Sequence, residues 1–422
     1  METLARKLIA RAAGQSGVSA GDVVICKVDL AMIHDSGGPR RVKPMLERLG
    51  RRVWDRDRVV VVTDHYVPAD NEETRAIQAL TRQWVREEEI ANFYDQQGIC
   101  HVVLPERGHL SPGMFCVGGD SHSPTGGAFG AYMFGVGATE MAGVLATGEI
   151  WLRVPETILI QWNNSLGACV TAKDMMLAVC SEIGMGGGRY QAIQYAGTAI
   201  ENLSMQERMT MSNMAAELGA QAGLIAPDEI TADYVRAAGG TLAEDWADYA
   251  IEAADKRKDH LTFDAAELAP QIAAPHSPAN AADAAEFENT KFDVAYIGAC
   301  TGAKYVDLAA AASVLKGRRI ASGITLKVAP ASKQDQDRAA DEGIMSILEE
   351  AGAQFLANSC GICAGYGDER LAEDEVCLSS TARNFKGRMG APGSQVYLAS
   401  PYTVAASAVT GTMGDPREIM EG

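Results

Sequence analysis

The stretch "MFCVGGDSHSPTGG", residues 114–127, combines a short apolar strand pattern with a polar end and a run of small residues. Asp120, Ser121 and His122 stand where the strand pattern ends, and a helical pattern begins near residue 137. In open α/β sheets, the loops that follow the strands bind ligands. The stretch therefore predicts an α/β protein whose functional residues lie at strand ends.

Other parts of the chain repeat this arrangement. Two more strand patterns end in reactive residues, at Asp64-His65 and at Cys300-Thr301-Gly302. Short β-branched or apolar runs alternate with Ala-rich or amphipathic helical stretches, and we interpret as strands the runs "DRVVVVTD", "HVVLPE", "ETILIQW", "FDVAYIGAC" and "GITLKVAP". Such alternation is typical of α/β proteins.

Length and composition limit the possible functions. A chain of 422 residues is long enough for two or three domains, and 47% hydrophobic with 22% charged residues is ordinary for a folded globular protein. The formal charge of -18 argues against nucleic acid and anionic membranes as partners. Residues 1–15 lack the apolar core of a signal peptide, and no run approaches the roughly 18 to 20 apolar residues of a spanning helix. We therefore expect a cytoplasmic protein.

The nine cysteines fall into two groups. Six lie in apolar strand or helix patterns, where a thiol behaves as a small buried hydrophobe: Cys26, Cys100, Cys116, Cys169, Cys180 and Cys377. Cys300 differs, because it precedes a helix whose N-terminus would favour a thiolate. Cys360 and Cys363 form a CxxC motif, which zinc sites, redox dithiols and iron-sulfur clusters share.

No second CxxC or CxxH pair completes a four-ligand zinc site in this sequence. Three cysteines can instead hold a cubane cluster, in which one iron without a protein ligand is able to bind a hydroxyl and a carboxylate. A structural zinc site remains an alternative, but it would leave the histidines of the next paragraph unexplained.

Five of the seven histidines lie in the first 122 residues, and several stand beside an acid. Carboxylate-histidine pairs fix the imidazole tautomer and raise its basicity, as general acid-base chemistry requires. The candidates are Asp64-His65, His101 and Asp120-Ser121-His122. Asn213 and Glu217 are four residues apart, so we expect them on one face of a helix. Because the chain is acidic, an anionic substrate would need local cations, and Arg383 and Arg388 are candidates.

Seven motifs, in this order along the chain, resemble those of the aconitase superfamily. They are "VVTDHYVP", "GICHVVLPERG", "GGDSHSPTGGAFGAYMFGVGATEMAGVLATG", "SNMAAELGA", "GACTGAKYVDL", "SCGICAG" and "TARNFKGR". The length is similar to that of the large subunits of isopropylmalate isomerase and homoaconitase-type hydro-lyases. The resemblance implies a hydro-lyase that dehydrates a hydroxy di- or tricarboxylic acid, such as 2-isopropylmalate or a related substituted malate.

The resemblance also implies a role for each candidate residue. It implies that a [4Fe-4S] cluster is held by Cys300, Cys360 and Cys363, and that the catalytic carboxylate-histidine pairs are Asp64 with His65, Asp120 with His101, and Glu217 with His122. The substrate would contact His34, Ser121, Asn213, Arg383 and Arg388. The implied fold has three α/β domains with mostly parallel sheets around a central cleft. We expect these domains at residues 1–155, 156–270 and 285–422, and the Ala- and Pro-rich residues 268–290 suggest an interdomain linker.

Complete enzymes of this family also have a swivelling domain with a catalytic serine loop, which we do not find in this sequence. We therefore expect a separate small subunit that carries this domain. Three places depart from the family pattern: Gly302-Ala303 after the first cysteine, Ala382 before the first arginine, and "HDSGGPRRV" at residues 34–42. These departures leave homoaconitase, a citramalate or dimethylmalate hydro-lyase and a non-catalytic metal-binding relative as alternatives.

Overall fold

A computed structural model describes residues 3–250 and 260–420 of the chain. These residues form three sheets that are mainly parallel, with helices packed against them, and one two-stranded antiparallel ribbon. The prediction of an α/β fold with mostly parallel sheets is confirmed. No helix in these two ranges has the length and hydropathy to cross a lipid bilayer.

The first part of the chain folds around a five-stranded parallel sheet. Its elements are α1 (Leu4–Ala12), β1 (Val23–Lys27), β2 (Leu30–His34), α2 (Pro39–Leu49), β3 (Val59–Thr63), α3 (Glu72–Glu87), β4 (Asn92–Asp95), α4 (Cys100–Glu106), β5 (Phe115–Gly118), β6 (Tyr132–Gly135), α5 (Ala138–Thr147) and β7 (Glu149–Arg153). The strand order is β4-β3-β2-β5-β6, while β1 and β7 form the antiparallel ribbon. Alternate residues of β2 enter different cores, Ala31 and Ile33 on one face and Leu30 and Met32 on the other. Both faces of this sheet are therefore covered, as in other parallel sheets.

Two local predictions in this part are wrong. The run "HVVLPE" was expected to be a strand, but it lies in the helix α4. A short apolar run fits a buried helix as well as a buried strand, and here every residue of the helix is buried. The helical pattern of residues 137–151 ends earlier than expected, because Gly148 adopts φ 74° and β7 begins at Glu149.

The second sheet has four parallel strands in the order β10-β9-β8-β11. Its elements are β8 (Thr157–Asn163), α6 (Ala172–Ile183), β9 (Ala192–Ala196), α7 (Thr198–Asn202), α8 (Met205–Met214), β10 (Ala222–Ile225), α9 (Glu229–Ala237) and β11 (His260–Asp264). Capping boxes begin α6 at Thr171 and α8 at Ser204. These caps fix where the two helices start, and both helices carry residues that reach the candidate site.

The third sheet has seven strands in the order β13-β12-β18-β17-β14-β15-β16. Its elements are β12 (Gln271–Ala273), β13 (Ala281–Asp283), β14 (Val294–Ile297), α10 (Tyr305–Leu315), β15 (Thr325–Val328), α11 (Lys333–Asp341), α12 (Ile344–Ala351), β16 (Gln354–Phe355), β17 (Val376–Ser379), β18 (Gln395–Ala399), α13 (Pro401–Thr410) and α14 (Arg417–Met420). The strands β18, β17, β14, β15 and β16 are parallel, and the hairpin β12–β13 joins the β18 edge in the antiparallel sense.

The stretch 268–290, expected to be a linker, contains this hairpin instead. The backbone N–H of Gln271 donates to Asp174 of α6 at 2.8 Å, and the Ser181 hydroxyl of α6 donates to the Ala281 carbonyl at 2.9 Å. Ile272 and Ala273 are fully buried. The alanine-rich composition suggested a flexible linker. However, small side chains also allow the hairpin, at the edge of the third sheet, to pack closely against α6.

Candidate active site

The ends of β2, β3 and β5 bring three polar loops to one edge of the first sheet. The order β3-β2-β5 is parallel, so the residues that follow these strands lie beside one another. The loops carry the predicted groups His34-Asp35, Asp64-His65 and Asp120-Ser121-His122. This edge forms the first wall of the candidate site, which we call the histidine wall and to which His101 of α4 also contributes.

Asp35 organises two of these loops. Its buried carboxylate accepts hydrogen bonds from the backbone N–H groups of Asp64, His65 and Tyr66 at 3.4, 3.1 and 3.1 Å. The His34 ring stacks on the His65 ring with centroids 4.1 Å apart, and His34 Nε2 donates to the Gly119 carbonyl at 3.1 Å. Burial and the nearby His65 charge lower the pKa of His34, so this ring is neutral.

Asp64 and His65 form a tight ion pair. His65 Nδ1 donates to the Asp64 carboxylate at 2.6 Å, and the other carboxylate oxygen accepts from the Cys100 N–H at 2.7 Å. Burial opposes both charges, but the attraction between the partners outweighs it. The pKa of His65 rises to about 10 and that of Asp64 falls to about 2. The pair is therefore charged at neutral pH and can supply a proton from a fixed position.

The second pair is His101 with Asp120, and the third pair is His122 with Glu217. His101 Nε2 donates to Asp120 at 2.7 Å, and the same oxygen accepts from the His122 backbone N–H at 2.7 Å. His122 Nε2 contacts Glu217 at 3.1 Å. Burial, followed by the charge of Arg383, lowers the pKa of His122 to about 4, so His122 is neutral at neutral pH.

Arg383 links this wall to the third sheet. Its Nε donates to Glu217 at 2.7 Å and its Nη1 donates to the Ser121 hydroxyl at 2.8 Å. Glu217 lies not on α8, as the four-residue spacing suggested, but on the 3₁₀ turn Ala215–Leu218 that follows it. The turn still directs Glu217 and Asn213 to the same site.

The three predicted metal cysteines come together opposite the histidine wall, and we call them the cysteine wall. Cys300 follows β14, while Cys360 and Cys363 lie in the loop between β16 and β17. The Cys360 N–H donates to the Asp64 carbonyl at 2.7 Å, which joins the two walls directly. Asn213 Nδ2 donates to Cys300 Sγ at 3.2 Å.

The thiols do not ionise in the way the sequence suggested. Cys300 was expected to be a thiolate, but burial and then the Cys363 charge raise its pKa to about 12. The pKa of Cys360 is also raised, while the hydrogen bond from Cys360 outweighs burial and lowers the pKa of Cys363 to about 6. In the protein alone, burial therefore opposes the thiolate form of Cys300 despite the N-terminus of α10.

The surroundings of the cysteine wall fit an anionic iron-sulfur cluster. Arg388 hydrogen-bonds Cys363, and the charges of Arg383, Lys304 and Lys173 also act on this group of thiols. A tetrahedral zinc ion would hold its sulfur ligands about 3.8 Å apart. Among the described residues, two sets of three or more side chains have potential ligand atoms that all lie within 4.8 Å of one another. Both sets consist of histidines and carboxylates, and the three cysteines do not form such a set. The described thiols are therefore not arranged in advance as a compact three-cysteine zinc site.

Two adjoining cavities open beside the histidine wall. One, of about 300 Å³, is lined by His34, Arg40, Arg41, Ser121 and Tyr366 among others. The second, of about 390 Å³, shares Asp120 and Ser121 with the first and reaches Arg383. Together they offer a polar cleft of the size of a small carboxylic acid.

Every residue that the sequence analysis assigned to the site belongs to this connected group. The members are His34, Asp64, His65, His101, Asp120, Ser121, His122, Asn213, Glu217, Cys300, Cys360, Cys363, Arg383 and Arg388. Proximity alone assigns them no role, and their catalytic functions stay predictions.

Four further residues were missed. Thr125 accepts from Asn213 at 2.8 Å, and Tyr366 packs against the His65 ring with centroids 6.0 Å apart. The Ser380 hydroxyl donates to the Gly302 carbonyl at 3.0 Å, and a Cβ at Gly302 would lie 2.3 Å from Ser380 Cβ, which explains the glycine there. Lys173 is the fourth, and only its position within the apolar pattern "TAKDMMLAV" could have indicated that it is buried.

Comparisons with known proteins show the family and the fold of the chain. The family model described as "Aconitase family (aconitate hydratase)" matches residues 7–411. The "3-isopropylmalate dehydratase large subunit 1" of Methanopyrus kandleri is 44% identical over 99% of each chain. The "Probable methanogen homoaconitase large subunit" of Methanothermobacter thermautotrophicus is 40% identical, over 98% of this chain and 97% of that protein. The crystal structure of Thermococcus kodakaraensis aconitase X shares the fold with a TM-score of 0.50 at 12% identity, over 85% of this chain and 84% of that one.

Proposed function

The chain belongs to the aconitase family, and from this premise we propose that it is the large subunit of a hydro-lyase. Its substrate class would be hydroxy di- or tricarboxylic acids, from which water is removed reversibly. The observation that carries this proposal is the direct connection of three carboxylate-histidine pairs to a group of buried, cation-flanked thiols, through the hydrogen bond from the Cys360 N–H to the Asp64 carbonyl.

The histidine wall would handle the departing hydroxyl. Hydroxide is a poor leaving group unless it is protonated or bound to a metal. The protonated His65, held by Asp64, is suited to donate a proton, while His101 and His122 are held in fixed orientations by Asp120 and Glu217. Because all of these rings are buried, their orientation does not depend on solvent.

The arginines would bind the carboxylates of the substrate. Arg383 is held by Glu217 through Nε, and Arg388 lies beside Cys363. Bidentate contacts to a carboxylate would persist as negative charge develops during proton removal, and such contacts contribute several kcal/mol in a site without water.

A [4Fe-4S] cluster held by Cys300, Cys360 and Cys363 is the cofactor that fits this site. When bound, such a cluster supplies an iron without a protein ligand, which acts as a Lewis acid toward a hydroxyl oxygen. The donor set supports this assignment, since three thiols converge and Asn213 donates a hydrogen bond to one of them.

A small subunit would complete the enzyme. The relatives from Methanopyrus kandleri and Herpetosiphon aurantiacus are both named as large subunits of 3-isopropylmalate dehydratase. We propose that the partner carries a swivelling domain with a catalytic serine, and that it covers the cleft.

The candidate substrates are 2-isopropylmalate, a related substituted malate such as citramalate or dimethylmalate, and an acid with a further carboxylate. The names of the relatives favour the first and include the last, as homoaconitase. One observation favours a tricarboxylic acid: Arg40 and Arg41 both line the cavity that contains Ser121. An isopropyl group would gain little from two guanidinium groups, whereas a carboxylate would.

The test is to co-express the chain with the product of an adjacent small open reading frame under anaerobic conditions. Alkene absorbance is then measured with 2-isopropylmalate, homocitrate, citramalate, dimethylmalate and citrate. Turnover of one of these acids that requires both chains supports the proposal. An iron-loaded complex that converts none of them contradicts it.

A further inference from the structure

Lys173 is a fully buried cation without a carboxylate partner. Its side chain extends from α6 of the second sheet, and its Nζ donates to the Ser380 carbonyl at 3.1 Å and to the Thr381 carbonyl. Across the described ranges, no ion pair within 4 Å involves this ammonium group. Both acceptors are neutral, so none of the atoms that hydrogen-bond this ammonium group neutralises its charge.

Other buried cations of the chain are neutralised. Arg208, which is equally buried, contacts Asp228 at 2.6 Å, and Lys304 contacts Asp307 at 2.8 Å. Burying an unpaired ammonium group is costly, and burial lowers the pKa of Lys173 to about 8. At Lys173, in contrast, any negative charge must act from beyond the atoms that contact the ammonium group.

The surroundings of Lys173 indicate where that charge belongs. The two acidic groups that act most strongly on it are Glu217 and Cys363. Glu217 already contacts both His122 and Arg383. A [4Fe-4S] centre with three thiolates has a net negative charge, because the three thiolates outweigh the charge of the oxidised core, and one-electron reduction makes it more negative.

Lys173 also holds the segment that precedes Arg383. The Ser380 carbonyl accepts from Lys173 and from the Thr301 hydroxyl, next to Cys300, and the Ser380 hydroxyl bonds the turn at Gly302. One ammonium group thus connects the second sheet with both the cysteine turn and the arginine loop.

We propose that Lys173 is a positioning residue for the cysteine-bound cluster, offsetting its negative charge and fixing the carbonyls that precede Arg383. The inference rests on the proposed function, because it requires the cluster to be bound at Cys300, Cys360 and Cys363. It predicts that the charge of Lys173 raises the reduction potential of the cluster and slows its loss, since a nearby cation stabilises the added electron.

The experiment compares K173Q, which keeps a hydrogen-bond donor without charge, with K173R, which keeps the charge. Each variant of the full chain is reconstituted with iron and sulfide under anaerobic conditions. The midpoint potential is measured by redox titration monitored with electron paramagnetic resonance, and iron loss is followed in air-saturated buffer. K173Q should have a lower potential and lose iron several-fold faster, whereas K173R should stay close to the wild type.

The matched control is R208Q, which removes a buried cation that Asp228 already neutralises. It should lower the melting temperature without changing the potential. An unchanged potential in K173Q, or an equal shift in R208Q, overturns the inference. If K173Q takes up no cluster, the result for K173R tests the inference. A K173R variant that retains the cluster with the wild-type potential supports the role of charge. A K173R variant that loses the cluster overturns it. A wild-type chain that binds no cluster contradicts the proposed function instead.

Discussion

The histidine wall and the cysteine wall differ in how far their ionisable groups are paired with opposite charges inside the protein. On the histidine wall, His65, His101 and His122 each have a carboxylate partner, at 2.6, 2.7 and 3.1 Å. On the cysteine wall, Cys300 and Cys360 have raised pKa values, and the buried charge of Lys173 has no carboxylate partner. The charged groups of the histidine wall are therefore paired within the protein to a greater extent than those around the cysteine wall.

The difference follows from the chemistry of the side chains. A carboxylate and an imidazole neutralise each other, so their burial is tolerated at the time of folding. Three thiols cannot neutralise one another, and each thiol must lose its proton to become a metal ligand. Substitutions on the two walls should therefore have distinct signatures.

Replacing Cys363 by Ser should have the largest effect. The proposed cluster would lose one of its three ligands, so absorbance near roughly 400 nm and bound sulfide should disappear. Turnover should fall at least about a thousandfold, as expected when a Lewis acid worth several kcal/mol is removed. Far-UV circular dichroism should stay unchanged, and a variant that keeps both its spectrum and its rate would refute the cysteine assignment.

Replacing Asp64 by Asn should come next and should affect only the histidine wall. The amide keeps the shape but removes the charge that raises the pKa of His65 to about 10. We expect kcat to fall about 100-fold, in the range of a lost general acid, while iron content stays at the wild-type level. Iron loss equal to that of the cysteine variant would show that the two walls are not independent.

Replacing Asn213 by Ala should have a smaller effect, because this residue bridges the walls without belonging to either. The change removes the hydrogen bonds to Cys300 Sγ and to Thr125. Outer ligand partners of this kind typically change metal affinity by about 10- to 100-fold, and we expect the lower end. Competition with an iron chelator measures the affinity. An unaltered rate of iron removal would contradict this role of Asn213.

The smallest effect should arise where α4 of the histidine wall meets α11. Glu106 accepts from the Ser332 hydroxyl at 2.6 Å, and burial and the Asp335 charge raise its pKa to about 8, despite the nearby Arg107. Because the folded pKa exceeds the unfolded value of 4.5, the protonated form stabilises the fold below that value. This stabilisation is lost as the pH rises from about 4.5 through 8.

Urea unfolding at several pH values tests this expectation. The free energy of unfolding should decline more steeply between pH 5 and pH 8 in the wild type than in E106Q, which stays neutral. Parallel curves for the two proteins would show that Glu106 does not titrate in this interval.

Much of the site could be predicted because it depends on local sequence. The strand-end loops at Asp64, Asp120 and Cys300 follow apolar runs that the structure shows as β3, β5 and β14. The parallel order of neighbouring strands then brings the first two loops together without further information.

What failed depended on tertiary packing. The run at residues 101–106 is equally compatible with a helix and a strand, and only burial on all sides settled it as α4. Lys173 escaped notice since a lysine in sequence carries no sign of burial. The sequence also gives no measure of desolvation, which raises the pKa of Cys300 in the protein alone and opposes the effect of the helix N-terminus.

The hairpin β12–β13 limits how the cleft can open. It pairs with β18 of the third sheet, and its backbone forms hydrogen bonds with Asp174 and Ser181 of α6. The hairpin therefore connects the second and third sheets. The Ile99 N–H bonded to the Ala331 carbonyl at 2.8 Å ties the first sheet to the third in the same way. These contacts should restrict movement of the three sheets relative to one another. We therefore expect that a substrate enters and leaves through movement of the proposed partner subunit rather than through opening of this chain.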